Sequence, residues 1–88
     1  MLTIDQARVV AAKGIPVMFR GTQYMRITSV GWGYDDHYGE HAQVVLEDRS
    51  GRSSIRVRPE EVTMQGADVN GAFYYFEGEE LKKAVAHG

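Results

Sequence analysis

The feature that most constrains the fold is an alternating stretch at residues 41–58, which surrounds a Ser-Gly turn. Every second position on both sides of the turn is apolar: Ala42, Val44 and Leu46 before it, Ile55 and Val57 after it. Period-two alternation around a glycine-containing turn is typical of an antiparallel strand pair with one buried face. The stretch therefore predicts a β-hairpin, around which the rest of the chain is organised.

Two registers of this hairpin keep both apolar sets on one side of the sheet. A four-residue loop over residues 48–51 sets Glu47 opposite Arg52, whereas a two-residue loop sets Arg49 opposite Arg52. Like charges directly opposed are unfavourable, so the four-residue loop is predicted. Gly51 would supply the positive φ angle that the loop needs.

Residues 3–14 are predicted to form an amphipathic helix. Thr3 and Gln6 match the capping-box pattern, and Gly14 is placed to end the helix. Its short apolar face favours a helix that covers one open end of a sheet over a helix that binds a partner.

The predicted β core covers residues 15–62. A short strand over residues 15–19 and a turn over residues 20–23 lead into a long strand over residues 24–34. In that strand Met25 and Ile27 have one parity and Val30 and Trp32 the other, so a bulge or bend is expected near residues 28–29. Gly31 and Gly33 indicate a second bend or a close backbone approach.

The second arm of the hairpin is expected to end at Pro59, because proline cannot continue a ladder inside a sheet. Residues 63–72 are predicted to be irregular. Residues 73–88 are predicted to contain a strand or lead-in at 73–76, with Phe73 and Phe76 in the core, and then a short helix over 79–86. The prediction of this helix is based on Glu79 and Lys83, whose opposite charges are four residues apart and would lie together on one helix face.

These elements predict one α+β domain over residues 1–88 that is mainly β. It would be a small, strongly bent antiparallel sheet or a partly open barrel of four or five strands, with a helix at each end. The long bent second strand resembles the SH3-like class of small barrels in its architecture. Because such folds carry many functions, the resemblance implies no single activity.

The composition excludes several classes of protein. The chain has 88 residues, 43% of them hydrophobic and 25% charged, which is ordinary for a globular domain. It contains no cysteine, and its net charge of −2 argues against binding polyanions with the whole surface. We find no signal-peptide pattern and no apolar run long enough to span a membrane, and we expect a cytoplasmic protein.

Arginines and aromatic residues form the candidate binding surface. Arg52, Arg56 and Arg58 are predicted to project from one side of one strand, with Arg26 beside them. The aromatic candidates are Trp32, Tyr34 and Tyr38. Guanidinium groups suit phosphate and aromatic rings stack on unpaired bases, but arginines on a strand face also simply keep it solvated.

Three hypotheses follow for the function. The first is a non-catalytic module that binds a protein or its own copy through this aromatic and arginine surface. The second places nucleic acid on the same surface, and the third is a metal-dependent function at His37 and His41. Residues 35–41 lack the spacing of known metal loops, and no nucleophile and base pair stands out, so we expect no enzyme, metal or cofactor.

Overall fold

The computed structural model describes residues 1–37, 39–64, 67 and 71–85. Within this part, helix α1 (Ile4–Lys13) precedes strands β1 (Val17–Phe19), β2 (Thr22–Tyr24), β3 (Arg26–Asp35), β4 (Gly39–Glu47), β5 (Ser54–Val57), β6 (Val62–Thr63), β7 (Ala72–Glu77) and β8 (Glu80–Val85). A 3₁₀ helix, Pro59–Glu61, joins β5 to β6. The strands form antiparallel sheets of order β2-β1-β6, β3-β4-β5 and β7-β8, and the described part is not a closed barrel.

Helix α1 begins and ends as its sequence predicts. The Thr3 hydroxyl accepts a hydrogen bond from the Gln6 N–H at 3.1 Å, and the Gln6 Oε1 accepts one from the Thr3 N–H at 2.9 Å. Gly14 has a φ of 65°, in the left-handed region that glycine adopts without steric cost. Ala7 and Val10 are fully buried, so the helix covers the core of the sheets.

The turn between β1 and β2 is shorter than predicted. Phe19 pairs with Thr22, which leaves Arg20 and Gly21 as a two-residue loop rather than a loop over residues 20–23. Both loop residues have positive φ, 50° and 78°, which matches the twist of a hairpin. The Arg20 guanidinium lies over the Phe19 ring, 5.0 Å from its centroid. An arginine in the left-handed region is uncommon, and for that reason the sequence did not reveal the tight turn.

A single residue, Met25, separates β2 from β3, so the chain passes directly from the first sheet into the second. The predicted bulge is confirmed: Ile27 pairs with Leu46, but the next paired residue, Ser29, pairs with Val45. The extra residue reverses the parity of the strand. As a result Ile27, before the bulge, and Val30, after it, both contact the core.

The predicted register of the β4–β5 hairpin is wrong by two residues. Leu46 pairs with Ile55 and Glu47 with Ser54, which is the register of the two-residue loop that charge repulsion had excluded. Arg49 and Arg52 do not oppose each other in the ladder, because the ladder ends at the pair Glu47 and Ser54. The Asp48 N–H donates to the Ser53 carbonyl at 3.0 Å, and the four residues between them form the loop. Gly51 has the predicted positive φ, 72°.

The predicted C-terminal helix is wrong, and the segment is strand β8. The spacing of Leu81, Ala84 and Val85 is that of a helix face, but the neighbouring strand β7 supplies a pairing partner for every residue from 80 to 85. Gly78, with a φ of 66°, makes the turn between the two strands. The predicted irregular segment 63–72 begins with a residue of β6 and ends with one of β7, and residues 65, 66 and 68–70 lie outside the described part.

The core lies between α1 and the inner faces of the three sheets. Its largest fully buried side chains are Val10, Val17, Ile27, Val44, Leu46 and Val62. From the C-terminal hairpin, Tyr74, Phe76 and Leu81 pack against this core. The alternating apolar residues of β4 are therefore the centre of the fold, as the sequence indicates. None of the described helical residues forms a helix that could cross a membrane.

Candidate protein-binding surface

The β3–β4 hairpin continues past the core, and we call its far end, residues 31–37 and 39–41, the arm. The last core contacts along the hairpin come from Val30 and Val44, which pair with each other. Beyond them Trp32 pairs with Ala42 and Tyr34 pairs with Glu40. Trp32 is 62% exposed and Tyr34 is 77% exposed. The arm therefore presents two large aromatic side chains to water on an ordered ladder.

The two faces of the arm differ sharply in side-chain size. Val30, Trp32 and Tyr34 alternate with Gly31 and Gly33, so the large side chains of β3 project from one face and none projects from the other. The predicted second bend at the glycines is not seen, because the ladder runs through them without a register shift. No close backbone approach is seen at either glycine: Gly31 has nothing near it, and at Gly33 the side-chain amide of Gln43 occupies the space that a Cβ would fill.

A shallow groove of about 340 Å³ lies on this part of the sheet. Its lining comes from all three strands: Ser29, Gly31, Trp32, Gly33, Tyr34, Gln43, Val45 and Arg56. Six of these residues, Ser29, Gly31, Gly33, Gln43, Val45 and Arg56, share one face of the sheet, whereas Trp32 and Tyr34 have the opposite parity and project from the other face. The groove therefore offers an amide, a hydroxyl and one guanidinium group, which can bind an extended polar ligand.

The predicted arginine face is not formed as expected. Arg56 lies on β5 opposite Val45, whereas Arg52 lies in the loop and Arg58 follows the end of the strand. Arg26, at the start of β3, is opposite Glu47 and its Nη2 is 3.4 Å from a Glu47 carboxylate oxygen. The shifted register is the cause, because it moves Arg52 out of the ladder and leaves Glu47 to pair with Arg26.

The charges of these arginines are partly offset. The Arg58 Nη1 is 3.8 Å from a carboxylate oxygen of Glu60, and Arg26 has its Glu47 partner. Arg56 makes no ion pair with any residue that the structure describes. Of the four predicted arginines, Arg56 alone lines the groove with Trp32 and Tyr34.

The loop that carries Arg52 is held by Asp48. The Asp48 carboxylate accepts hydrogen bonds from the Ser50 hydroxyl at 2.7 Å and from the Ser50 N–H at 3.0 Å. These bonds to the charged form, the hydroxyl bond first, lower the pKa of Asp48. The Ser50 hydroxyl in turn accepts from the Arg52 N–H at 3.1 Å, so the loop is ordered and Arg52 has a fixed place in it.

The two candidate metal ligands are in different settings. His37 is exposed in the turn at the tip of the arm, whereas His41 is half-buried in β4. The His41 Nδ1 is 3.1 Å from the Gly39 carbonyl oxygen and its Nε2 is 3.2 Å from the Gln43 Nε2. A metal ion would have to displace one of these contacts. Among the described residues, no three His, Cys, Asp or Glu side chains are grouped to hold one, and Tyr38 lies outside that part.

The C-terminal hairpin carries a second set of exposed aromatic residues. Ala72, Tyr74 and Phe76 face the core, so Phe73 and Tyr75 point outward, with 37% and 46% of their surfaces exposed. The prediction that Phe73 is a core residue is therefore wrong, and Tyr74 takes that place. Phe73 and Tyr75 line a cavity of about 400 Å³ together with Met1 and Met64.

Sequence reasoning missed Gln43, Ser29 and Val45 as lining residues of the groove. Their shared parity on neighbouring strands was readable, but it depended on the register across the bulge. Comparisons with protein-family models, with curated proteins and with solved structures returned no match for this chain.

Proposed function

We propose that the protein is a non-catalytic binding module that contacts a protein, either a different one or its own copy, through the arm. The observation that carries this proposal is the exposure of Trp32 and Tyr34 on a face that is continuous with the core. Tryptophan, tyrosine and arginine are the residues most enriched where interfaces gain most of their affinity. The arm carries two of these residue types, Trp32 and Tyr34, and Arg56 lines the groove on the opposite face of the same sheet.

The strand order supports the view that the module is SH3-like. The sequence of neighbours is β6-β1-β2 in one sheet and β3-β4-β5 in the other, joined where β2 runs into β3 through Met25. The 3₁₀ helix Pro59–Glu61 leads into the strand that returns to β1. Small barrels of this kind bind partners in aromatic-lined grooves, which agrees with a role in recognition.

Nucleic-acid binding is the second candidate, favoured by one observation. Arg56 has no acidic partner in the described part of the chain, and it lines the groove, where its guanidinium could bind a phosphate group. Against it, Arg26 and Arg58 are paired with glutamates, and the net charge is −2. An amide NMR titration with a mixed single-stranded oligonucleotide separates the two functions. We expect no shifts in the arm, whereas shifts that fade with salt would place nucleic acid there.

The proposed function is tested by affinity capture from an extract of the native host. The tagged chain is compared with Trp32→Ala and with Tyr75→Ala, a matched loss of an exposed aromatic ring outside the arm. We expect the Trp32→Ala variant to lose at least one captured protein by about tenfold, as for a central interface residue, and Tyr75→Ala to retain it. Equal capture by all three chains would refute the proposal.

A further inference from the structure

Among the described residues, strand β3 has a strand partner along one edge only. It pairs with β4 on one side, and on the other side it makes no backbone hydrogen bond within the described part of the chain. Helix α1 packs against β3, where Ile27 is buried, but the strand beyond the bulge extends into the exposed arm. Its free N–H and C=O groups are a template on which another strand can pair.

This edge lacks the usual devices that prevent such pairing. Residues 29–34 contain no lysine, no proline and no charged side chain, and no register shift interrupts the ladder between them. Gly31 also places no side chain over this part of the sheet, and nothing lies within 4 Å of where its Cβ would be. An exposed edge of this length and composition is disfavoured unless something covers it.

The edge is complementary to itself when two copies run antiparallel. Its first residue, Arg26, is basic, whereas Asp36, which follows its end, is acidic and exposed. In an antiparallel pair the basic end of each copy lies beside the acidic end of the other. We propose that two copies of this chain form a dimer by pairing their β3 edges about a two-fold axis, an inference that rests on the proposed function of the arm.

The side chains select one register for this dimer. Opposed residues must have the same parity, so that both aromatic faces lie on one side of the joined sheet. The register that sets Gly31 against Gly31 places Val30 opposite Trp32 of the second copy. Because the bulge adds one residue before Ser29, Arg26 lies beside the acidic end of the second copy's strand rather than directly opposite Asp36. The backbone ladder then needs only residues 29–33, beyond the bulge. A continuous six-stranded sheet results, with a stripe of tryptophan and valine across the junction.

The first test introduces a charge at the centre of the pairing. Gly31→Lys fits the free chain, because Gly31 has open space and an ordinary φ, but it opposes two lysines in the dimer. Thr22→Lys is the control, since Thr22 is an exposed residue of β2, an edge strand of the other sheet, and lies outside the arm and the groove. Sedimentation over about a hundredfold range of concentration should show reversible dimers for the unmodified chain and for Thr22→Lys, and monomers for Gly31→Lys.

The second test exchanges the charges at the ends of the edge. Asp36→Arg brings arginines together at both ends of the pairing and Arg26→Asp brings aspartates together there, so neither variant should dimerise alone. An equimolar mixture of the two restores opposite charges at both ends, and we expect a heterodimer. Circular dichroism checks that Arg26→Asp, which loses the 3.4 Å contact with Glu47, still folds. Because the chain has one tryptophan, a shift of its emission to shorter wavelength on mixing places the contact at Trp32.

The outcomes separate this inference from the proposed function. A chain that is monomeric at every concentration, or a dimer that neither Gly31→Lys nor the charge exchange affects, would overturn the β3 pairing. If that monomer still captures a protein in a Trp32-dependent manner, the arm remains a binding surface for a different partner. Loss of dimers in Gly31→Lys together with their return in the mixture would establish the pairing.

Discussion

Gln6 connects the helix to the C-terminal hairpin, and replacing it with glutamate separates its two roles. Its Oε1 completes the capping box with the Thr3 N–H, while its Nε2 donates a hydrogen bond to the Gly78 carbonyl at 2.9 Å. Glutamate keeps the capping acceptor and adds a charge that the helix N-terminus favours, worth about 0.3–1 kcal/mol. It cannot donate to Gly78, and losing that neutral hydrogen bond costs about 0.5–1.5 kcal/mol.

The two effects nearly cancel in the whole protein but not in the hairpin. We expect Gln6→Glu to leave the free energy of unfolding within about 1 kcal/mol of the parent, because the cap gains what the hairpin loses. A local loss of about 1 kcal/mol corresponds to roughly fivefold faster amide exchange in β7 and β8. Gln6→Ala removes both roles, so exchange should also quicken in α1.

Hydrogen exchange followed by NMR measures both segments in one experiment. The amides of β3 and β4, which Gln6 does not contact, are the internal reference. If Gln6→Glu leaves exchange in β7 and β8 unchanged, the contact with Gly78 does not hold the hairpin. If the amide exchange rates of α1 and of the hairpin change equally in Gln6→Glu, the two roles of Gln6 are not separable and the reasoning fails.

Three further predictions concern the core, the helix end and the β4–β5 loop. Leu46→Ala should lower the free energy of unfolding, measured by urea denaturation, by about 2–5 kcal/mol, since Leu46 is fully buried. Trp32→Ala should lower it clearly less, since most of the Trp32 side chain is already in water. Gly14→Ala should cost about 1–2 kcal/mol by the same assay, because its φ of 65° strains any residue with a Cβ. The hydrogen bonds of the folded loop lower the pKa of Asp48 below its ordinary value of 3.8, so their stabilisation is present above that value and is lost as the pH falls through the folded pKa. Ser50→Ala should therefore raise this pKa in a carboxyl NMR titration, and an unchanged pKa would show that the hydroxyl is not its main cause.

Local signals predicted the parts of the fold that depend on neighbouring residues. The capping box at Thr3, the glycine end at Gly14 and the bulge after Ile27 were all readable, because each follows from sequence spacing and side-chain parity. The register of β4 and β5 was not readable in this way. The two-residue loop was rejected on the assumption that Arg49 and Arg52 lie opposite each other in the ladder. Whether a residue lies in the ladder or in the loop depends on hydrogen bonds such as those of Asp48, which spacing alone does not fix.

The C-terminal segment and the candidate site show a second limit of prediction from the sequence. The spacing of Leu81, Ala84 and Val85 favours a helix, and only the pairing of residues 80–85 with β7 makes the segment a strand. For the site, Trp32 and Tyr34 were predicted from their residue types alone. Their exposure depends on where the core ends along the β3–β4 hairpin, which is a property of the packed structure.

The most direct test of the arm as a protein-binding surface is site-specific photo-crosslinking in the native host. Benzoylphenylalanine replaces Tyr34, which is 77% exposed, and in a parallel chain it replaces Tyr75, which is 46% exposed but lies outside the arm. We predict a protein adduct, with a second copy or with another protein, at position 34 that Trp32→Ala abolishes. Adducts with nucleic acid, or protein adducts at position 75 alone, would contradict the account.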